Sequence, residues 1–353
     1  MAGDAIAVPE GAAEAFQLQA LGCRQLDSAL YGEILDRARA NLAQGGVVAR
    51  ALDGWTGKPF HDALPLRLLG AVHRIVLDGR APALAAHYPS AGGAPHFPAA
   101  WSAFVDVVES NLDEVRVRLG QQVQTNEVNR CAALIGGFLY VAGETQLPLR
   151  VLEIGSSAGL NLLWDRFRYE GAGRRYWGSA DSPVVVDCNW HGLPGHLDAS
   201  ATLVERRGCD IAPIDVRDAS QVRLLESFIW PEQLDRLAQL RAVVALARAN
   251  PAPLDRRSAA TWLAHHLQEA RPGCATVVFH STMWWYVSED ERKTITALLA
   301  EVGGRATMDA PIAWLRMEPR KELIPDVWLQ LWPGGDEVTL ARTHPHGREV
   351  WWK

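Results

Sequence analysis

Val151-Leu-Glu-Ile-Gly-Ser-Ser-Ala-Gly-Leu160 decides how the chain is read. Its opening residues, with Leu149 and Arg150 ahead of them, make a short apolar run that stops at a glycine. That is the form of a strand buried in a parallel sheet. Gly155 lets the chain turn sharply and lets a ligand approach the backbone, and Gly159 lets a helix start close to the strand. Free amides at such a helix start can donate hydrogen bonds. A tight strand-to-helix turn without a ligand would explain the same two glycines. Position 157 is Ser157, so the pattern is not GxGxxG, and dinucleotide binding is the poorer reading. Glu153 sits within the strand end, where a carboxylate is costly to bury unpaired. A cationic ligand group or a ring of amides would account for it; so would a salt bridge to Arg150 or Arg166.

The pattern changes on either side of residue 147. Ahead of it, apolar residues recur at helical spacing. Ser28 can cap a helix carrying Leu30, Tyr31, Ile34, Leu35, Ala38 and Leu42. Leu66, Leu69, Val72 and Val76 repeat the pattern, as do Phe104, Val108, Leu112, Val115 and Leu119. A further helix is expected from Thr125-Asn126 to Gly143. Beyond residue 147, strand-like runs stand at 182–187, 201–206, 275–280, 312–317, 327–332 and 338–342, several of them separated by helical stretches. Residues 231–249 form one such stretch, and Ser288-Glu-Asp-Glu291 opens another with a capping box. Strands alternating with helices predict a mostly parallel sheet covered on both faces. Pro333-Gly-Gly-Asp336 between the last two runs predicts a closing antiparallel hairpin. The expected fold is therefore α/β, with an all-helical domain over residues 1–145 and the sheet domain over 146–353.

Composition narrows the function. The 353 residues are enough for about two domains. A net charge of −6 leaves no basic footprint for nucleic acid or an anionic membrane. Five cysteines, odd in number and without a CxxC pair, argue against a disulfide scaffold or a structural zinc site and for a reducing, cytoplasmic setting. The longest nearly apolar run, 132–143, is too short to span a bilayer. The first residues lack a basic segment followed by an apolar one, so no secretory signal is expected.

Five separated stretches carry a family resemblance: Thr125-Asn-Glu-Val-Asn-Arg130, Leu152-Glu-Ile-Gly-Ser-Ser-Ala-Gly-Leu-Asn-Leu162, Arg207-Gly-Cys-Asp-Ile-Ala-Pro213, Val278-Phe-His-Ser281 and His344-Pro-His-Gly347. From about residue 10 to its end, the chain resembles the bacterial domain-of-unknown-function family 2332. That family is itself similar to class I S-adenosylmethionine-dependent methyltransferases. The resemblance implies a Rossmann-like methyltransferase sheet and S-adenosylmethionine as cofactor. Glu153, Gly155, Ser156, Ser157 and Gly159 would then lie at the methionine part of the cofactor. Asp210 would accept the ribose hydroxyls; a helix cap or an Asx turn ahead of Pro213 is its alternative role. Ser258 falls where such enzymes often carry an adenine-reading acid, and Asp255 is shifted from it by three positions. Asp210 also stands much farther from the glycine motif than the roughly 20 residues usual in Rossmann-like sites. An insertion that includes residues 169–190 must lie between them.

His280 is the candidate base, at the expected carboxyl end of a central strand. Its alternative role is to tie that strand end to a neighbouring loop. Phe279-His280-Ser281 lacks an Asp-Pro-Pro or Asn-Pro-Pro pattern, which argues against methylation of amino groups on bases or glutamine. Trp284, Trp285 and Tyr286 either wall a substrate pocket or pack beneath a loop. Asn126, Glu127 and Arg130 either touch ligand at the cofactor mouth or form a cap with a solvated first turn. His344 and His346 alternate on an expected strand but lack a third metal partner, so no metal is assigned. His265 and His266 read as surface or packing residues. The expected function is methyl transfer to a small or medium substrate, with the helical domain forming a lid and part of the pocket. A non-catalytic ligand-binding or regulatory module is the alternative, and a nicotinamide or nucleotide-dependent enzyme is the weaker third reading. The sequence leaves the oligomeric state open.

Overall fold

The computed structural model describes residues 6–319 and 324–353. The chain divides into two compact units: Met1–Thr125 with Asp218–Leu240, and Asn126–Arg217 with Arg241–Lys353. The division expected at residue 145 therefore falls elsewhere. The helix Cys131–Thr145 goes with the sheet, because eleven of its residues are buried and it packs on the sheet's strands. Residues 218–240 join the helices instead.

The first unit is helical as expected. Ala12–Gln25, Ala29–Ala43, Leu64–Leu77 and Phe97–Ser110 are its longest helices before residue 125. Their apolar stripes meet in one core that includes Phe16, Leu30, Leu35, Leu68, Val72, Phe104 and Trp230. Ser28 stands at the cap position, but its hydroxyl does not bond its own helix. It donates to Glu232, whose other oxygen accepts the Leu30 amide at 3.0 Å. A residue some two hundred positions away thus does the capping. His73 is buried in this unit between the Ser227 carbonyl and the Ser90 hydroxyl, at 3.1 and 2.8 Å.

The second unit carries twelve strands among its described residues: β1 (Leu149–Ile154), β2 (Arg168–Gly171), β3 (Arg174–Trp177), β4 (Val185–Asp187), β5 (Asn189–His191), β6 (Leu203–Asp210), β7 (Leu254–Arg256), β8 (Ala275–Ser281), β9 (Ile312–Pro319), β10 (Pro325–Trp332), β11 (Glu337–Thr343) and β12 (Glu349–Trp352). Nine form one sheet in the order β5-β12-β11-β10-β9-β8-β1-β6-β7. From β7 across to β9 all neighbours are parallel. The expected hairpin β10–β11 is present, but antiparallel pairing runs through β9, β10, β11 and β12. The insertion after β1 folds into a small second sheet, β3-β2-β4, plus the edge strand β5.

The chain leaves β1 towards β6 and β7, then returns to place β8 on the other side of β1. The order reverses there, and open α/β sheets bind ligands in the crevice beyond the strand ends at such a point. Strand residues alternate between faces. Leu152, Ile154, Val278, Ile312 and Trp314 pack with Trp262, Leu263, Ile295 and Leu299 from the helices Ala259–His266 and Glu289–Gly304. The opposite face, with Glu153 in register with Phe279, lies against the helix Cys131–Thr145: Phe138 meets Phe279 edge-on at 5.1 Å.

Local expectations fail where a distant partner wins. The segment after Gly159 is a single 3-10 stretch, Leu160–Arg166, not an α-helix. The helix expected from residue 125 begins only at Cys131, after a 3-10 turn at Val128–Arg130. Ser288 caps its helix, accepting the Glu291 amide at 3.3 Å. Glu291 does not reach back; it accepts the Ala260 amide at 3.1 Å, at the start of the neighbouring helix. His344 and His346 lie in the turn between β11 and β12, not on a strand. Among the described residues no helix is long and apolar enough to cross a membrane.

Candidate functional site

Asn126 and Asp210 join Glu153, Gly155, Ser156, Ser157 and Gly159 at the carboxyl end of β1. Glu153 is 2% exposed, and its Oε2 is buried without a hydrogen-bond partner among the described residues. Neither Arg150 nor Arg166 neutralises it. Arg150 pairs with Glu205 at 2.9 Å and donates to the His266 carbonyl. Burial pushes the Glu153 carboxyl well above its usual range, the negative charge of Asp210 pushes the same way, and Arg130 opposes both. A buried carboxyl short of partners at a topological switch point is a candidate ligand contact.

Gly155 and Gly159 both sit at φ +67. A side chain on Gly155 would meet Met283, and one on Gly159 would meet Leu254. The glycines therefore serve the close approach expected of them, although in both cases the approaching group belongs to the protein. The loop amides are also already used. Ser156 N donates to the Cys209 carbonyl, Ser157 N to Asp210 Oδ2 at 2.8 Å, and Gly159 N to the Ser156 carbonyl. Ala158 N and Leu160 N both donate to Asn126 Oδ1, at 3.0 and 3.2 Å. The free donors expected at a helix start are thus taken by two polar side chains. Asp210 also accepts Ala212 N at 2.8 Å, so it makes the local turn that was its alternative role. Each of its oxygens still has a second lone pair.

Asn126, Glu127 and Arg130 are all buried. Asn126 braces the loop. Arg130 donates to the Ser281 carbonyl at 3.2 Å and the Pro345 carbonyl at 3.0 Å. Asn129, between them, joins Asp187 to Gly347. The five stretches that carry the family resemblance therefore meet around one strand end.

His280 lies on the other face of the sheet from Glu153, since its neighbour Phe279 is the residue in register with Glu153. It is fully buried. Its Nδ1 is 2.8 Å from Glu318 Oε1, which also accepts Met283 N and Trp284 N at 3.0 and 3.2 Å. Glu318 Oε1 already accepts two amides, so Nδ1 is its third donor, and in the neutral ring the lone pair lies on Nε2. Nε2 is buried without a partner among the described residues. Trp284 stacks on the ring at 4.8 Å and 15°, while Trp285 is half exposed. The structure thus gives His280 the tying role that was its alternative, and the tie is made through a residue the sequence did not single out. Its signal was available: Glu318 is a carboxylate one position beyond the strand-like run 312–317, much as Glu153 sits within a strand end.

Ser258 stands at the cap position of the helix after β7, but its hydroxyl donates to Thr261 Oγ1 at 3.0 Å and caps no amide. Asp255 is engaged by Arg207 through two bonds and by Trp262 Nε1 at 2.7 Å, and the Arg207 guanidinium holds its carboxyl well below the usual range. His266 packs against Trp262 with the rings tilted at 53° and 4.5 Å apart, in keeping with a packing role.

A family described as "Uncharacterized protein conserved in bacteria (DUF2332)" has a model that matches residues 13–352. The chain belongs to this family. A search of the curated proteins found no match. Family membership agrees with the five stretches, and it covers both units of the structure.

Proposed function

We propose that this member of the family is an S-adenosylmethionine-dependent methyltransferase acting on a small or medium substrate. The observation behind this is the buried, unpartnered Glu153 oxygen at the carboxyl end of β1, beside the point where the strand order reverses. The order β7-β6-β1-β8-β9, all parallel, with an acid ending β6, is what a Rossmann-like methyltransferase sheet requires. The residues present fit the cofactor. Glu153 would accept its cationic methionine end, and the second lone pairs of Asp210 would accept ribose hydroxyls. Ser258, two residues beyond β7, would lie on the adenine side. The cofactor would supply a sulfonium methyl for in-line transfer to a nucleophile, with the neutral thioether as the leaving group. The chain's share of the work is alignment and exclusion of water, which reaches ~7–11 kcal/mol in ideal cases. His280 Nε2 would take a proton where the acceptor carries one.

A ligand-binding module without catalysis is the second reading. It is favoured by the burial of His280 and by the capture of Asp255 in a structural ion pair. Calorimetric titration with S-adenosylhomocysteine tests the first claim, and a thermal-shift comparison with NAD separates it from nucleotide chemistry. Binding of the former is expected. No heat at high micromolar ligand, with the protein shown to be folded, rejects the proposal. Binding without methylated product across acceptor panels selects the module.

A further inference from the structure

The turn after β8 concentrates several unusual features. Thr282, a β-branched residue, stands at φ +52, and its Oγ1 is buried without a hydrogen-bond partner among the described residues. Met283 lies directly on Gly155: a Cβ there would fall 2.8–2.9 Å from three Met283 side-chain atoms. Trp284 covers His280, whose Nε2 has no partner. Both strap amides, Met283 N and Trp284 N, are held by Glu318 Oε1, which also holds His280 Nδ1. Beyond them Trp285 and Tyr286 are about half exposed.

We propose that residues 282–286 are a strap closing the crevice beside Gly155, and that it lifts to admit ligand; this rests on the adenosyl-ligand function above. Lifting does two things together. It withdraws Met283 from Gly155, where the ligand would lie. It also takes Trp284 off the face of the imidazole, which opens the ring that carries Nε2 while Glu318 stays at Nδ1. Ligand entry and exposure of the base are thereby linked through one carboxylate. The strained Thr282 and its unsatisfied hydroxyl lower the cost of leaving the closed form. A methionine suits the position, because an unbranched thioether fills an irregular gap and can withdraw without moving the backbone core.

Apparent affinity then equals intrinsic affinity multiplied by the fraction of open strap. S-adenosylhomocysteine is titrated calorimetrically into wild type, Met283→Ala and Thr282→Gly. Hydrogen exchange of the Met283 and Trp284 amides is compared with that of Val278 and Phe279 in β8. Met283→Ala is expected to bind about fivefold more tightly or better. Thr282→Gly relieves the closed strap of strain and is expected to bind several-fold more weakly, a change opposite in sign that a folding defect in the first variant cannot mimic. The strap amides are expected to exchange at least about tenfold faster than the β8 amides, through local opening. Equal affinity in all three proteins overturns the strap and leaves the methyl-donor function standing. If none binds, the methyl-donor function falls and exchange decides the strap: local opening accelerated by Met283→Ala supports it, and exchange only in step with β8 overturns it.

Discussion

Replacing Glu153 with glutamine should make the protein more stable and a worse binder. The carboxylate is 2% exposed with one oxygen unpartnered, and among the described residues no cation lies within ion-pair distance of it. An unsatisfied buried polar group costs about 1–3 kcal/mol, and more when charged. Glutamine removes the charge but brings an NH2 that also needs a partner, so the net gain should be about 1–2 kcal/mol. For a chain of this size that is a rise of a few degrees in Tm, at ~2–4 °C per kcal/mol. The gain must depend on pH in a definite direction. The folded-state pKa is raised above the ordinary 4.5, so the wild-type carboxyl is fully accommodated below that value. Stability from this group is lost as pH rises above it. Glu153→Gln and wild type should therefore differ little near pH 4.5 and most near pH 8. Urea unfolding at those two pH values reads the difference. In the same protein, loss of a charge-assisted contact should weaken S-adenosylhomocysteine by roughly 10–100-fold. A variant less stable than wild type at pH 8, or a gap that widens on acidification, would refute the reasoning, because Glu153 would then have a compensating partner.

Two further outcomes follow from buried groups whose partners are known. Burial lowers the His73 pKa from 6.5 to about 4, so its contribution is present above pH 6.5 and lost as pH falls through 4. This amounts to roughly 3 kcal/mol, and His73→Asn should flatten the fall in urea midpoint between pH 7 and pH 4; an unchanged slope contradicts it. Asn126→Ala leaves the Ala158 and Leu160 amides without their acceptor and should cost about 2–4 kcal/mol, whereas Asn126→Asp keeps the acceptor and most of the stability. Equal loss in both variants, by chemical denaturation, would show that the loop does not depend on that oxygen.

Much of the sheet was legible locally. The runs at 275–280, 312–317, 327–332 and 338–342 lie within β8, β9, β10 and β11, because alternation and β-branched content are set by the strand's own backbone. The short strands β5, β7 and β12 were not marked. With three or four residues each, they exist because a neighbour supplies their hydrogen bonds. Gly159 predicted a close approach, which occurs. It also predicted an α-helix, which does not form: Asn126 takes the Ala158 and Leu160 amides.

The order of residues sufficed to establish the α/β class, the turn at Gly155 and the oddity of a carboxylate at 153. These are properties of neighbours along the chain, where periodicity and backbone freedom act. Folding was needed to establish that His280 and Glu153 face opposite sides of the sheet, that Glu318 joins His280 to the Met283 and Trp284 amides, and that Asn126 and Asp210 consume the loop donors. Those facts depend on register and on partners 30 or more residues apart, such as Asn126 with Ala158 and His280 with Glu318. A hydrogen bond is decided within a few tenths of an ångström, and no local pattern specifies distance that finely.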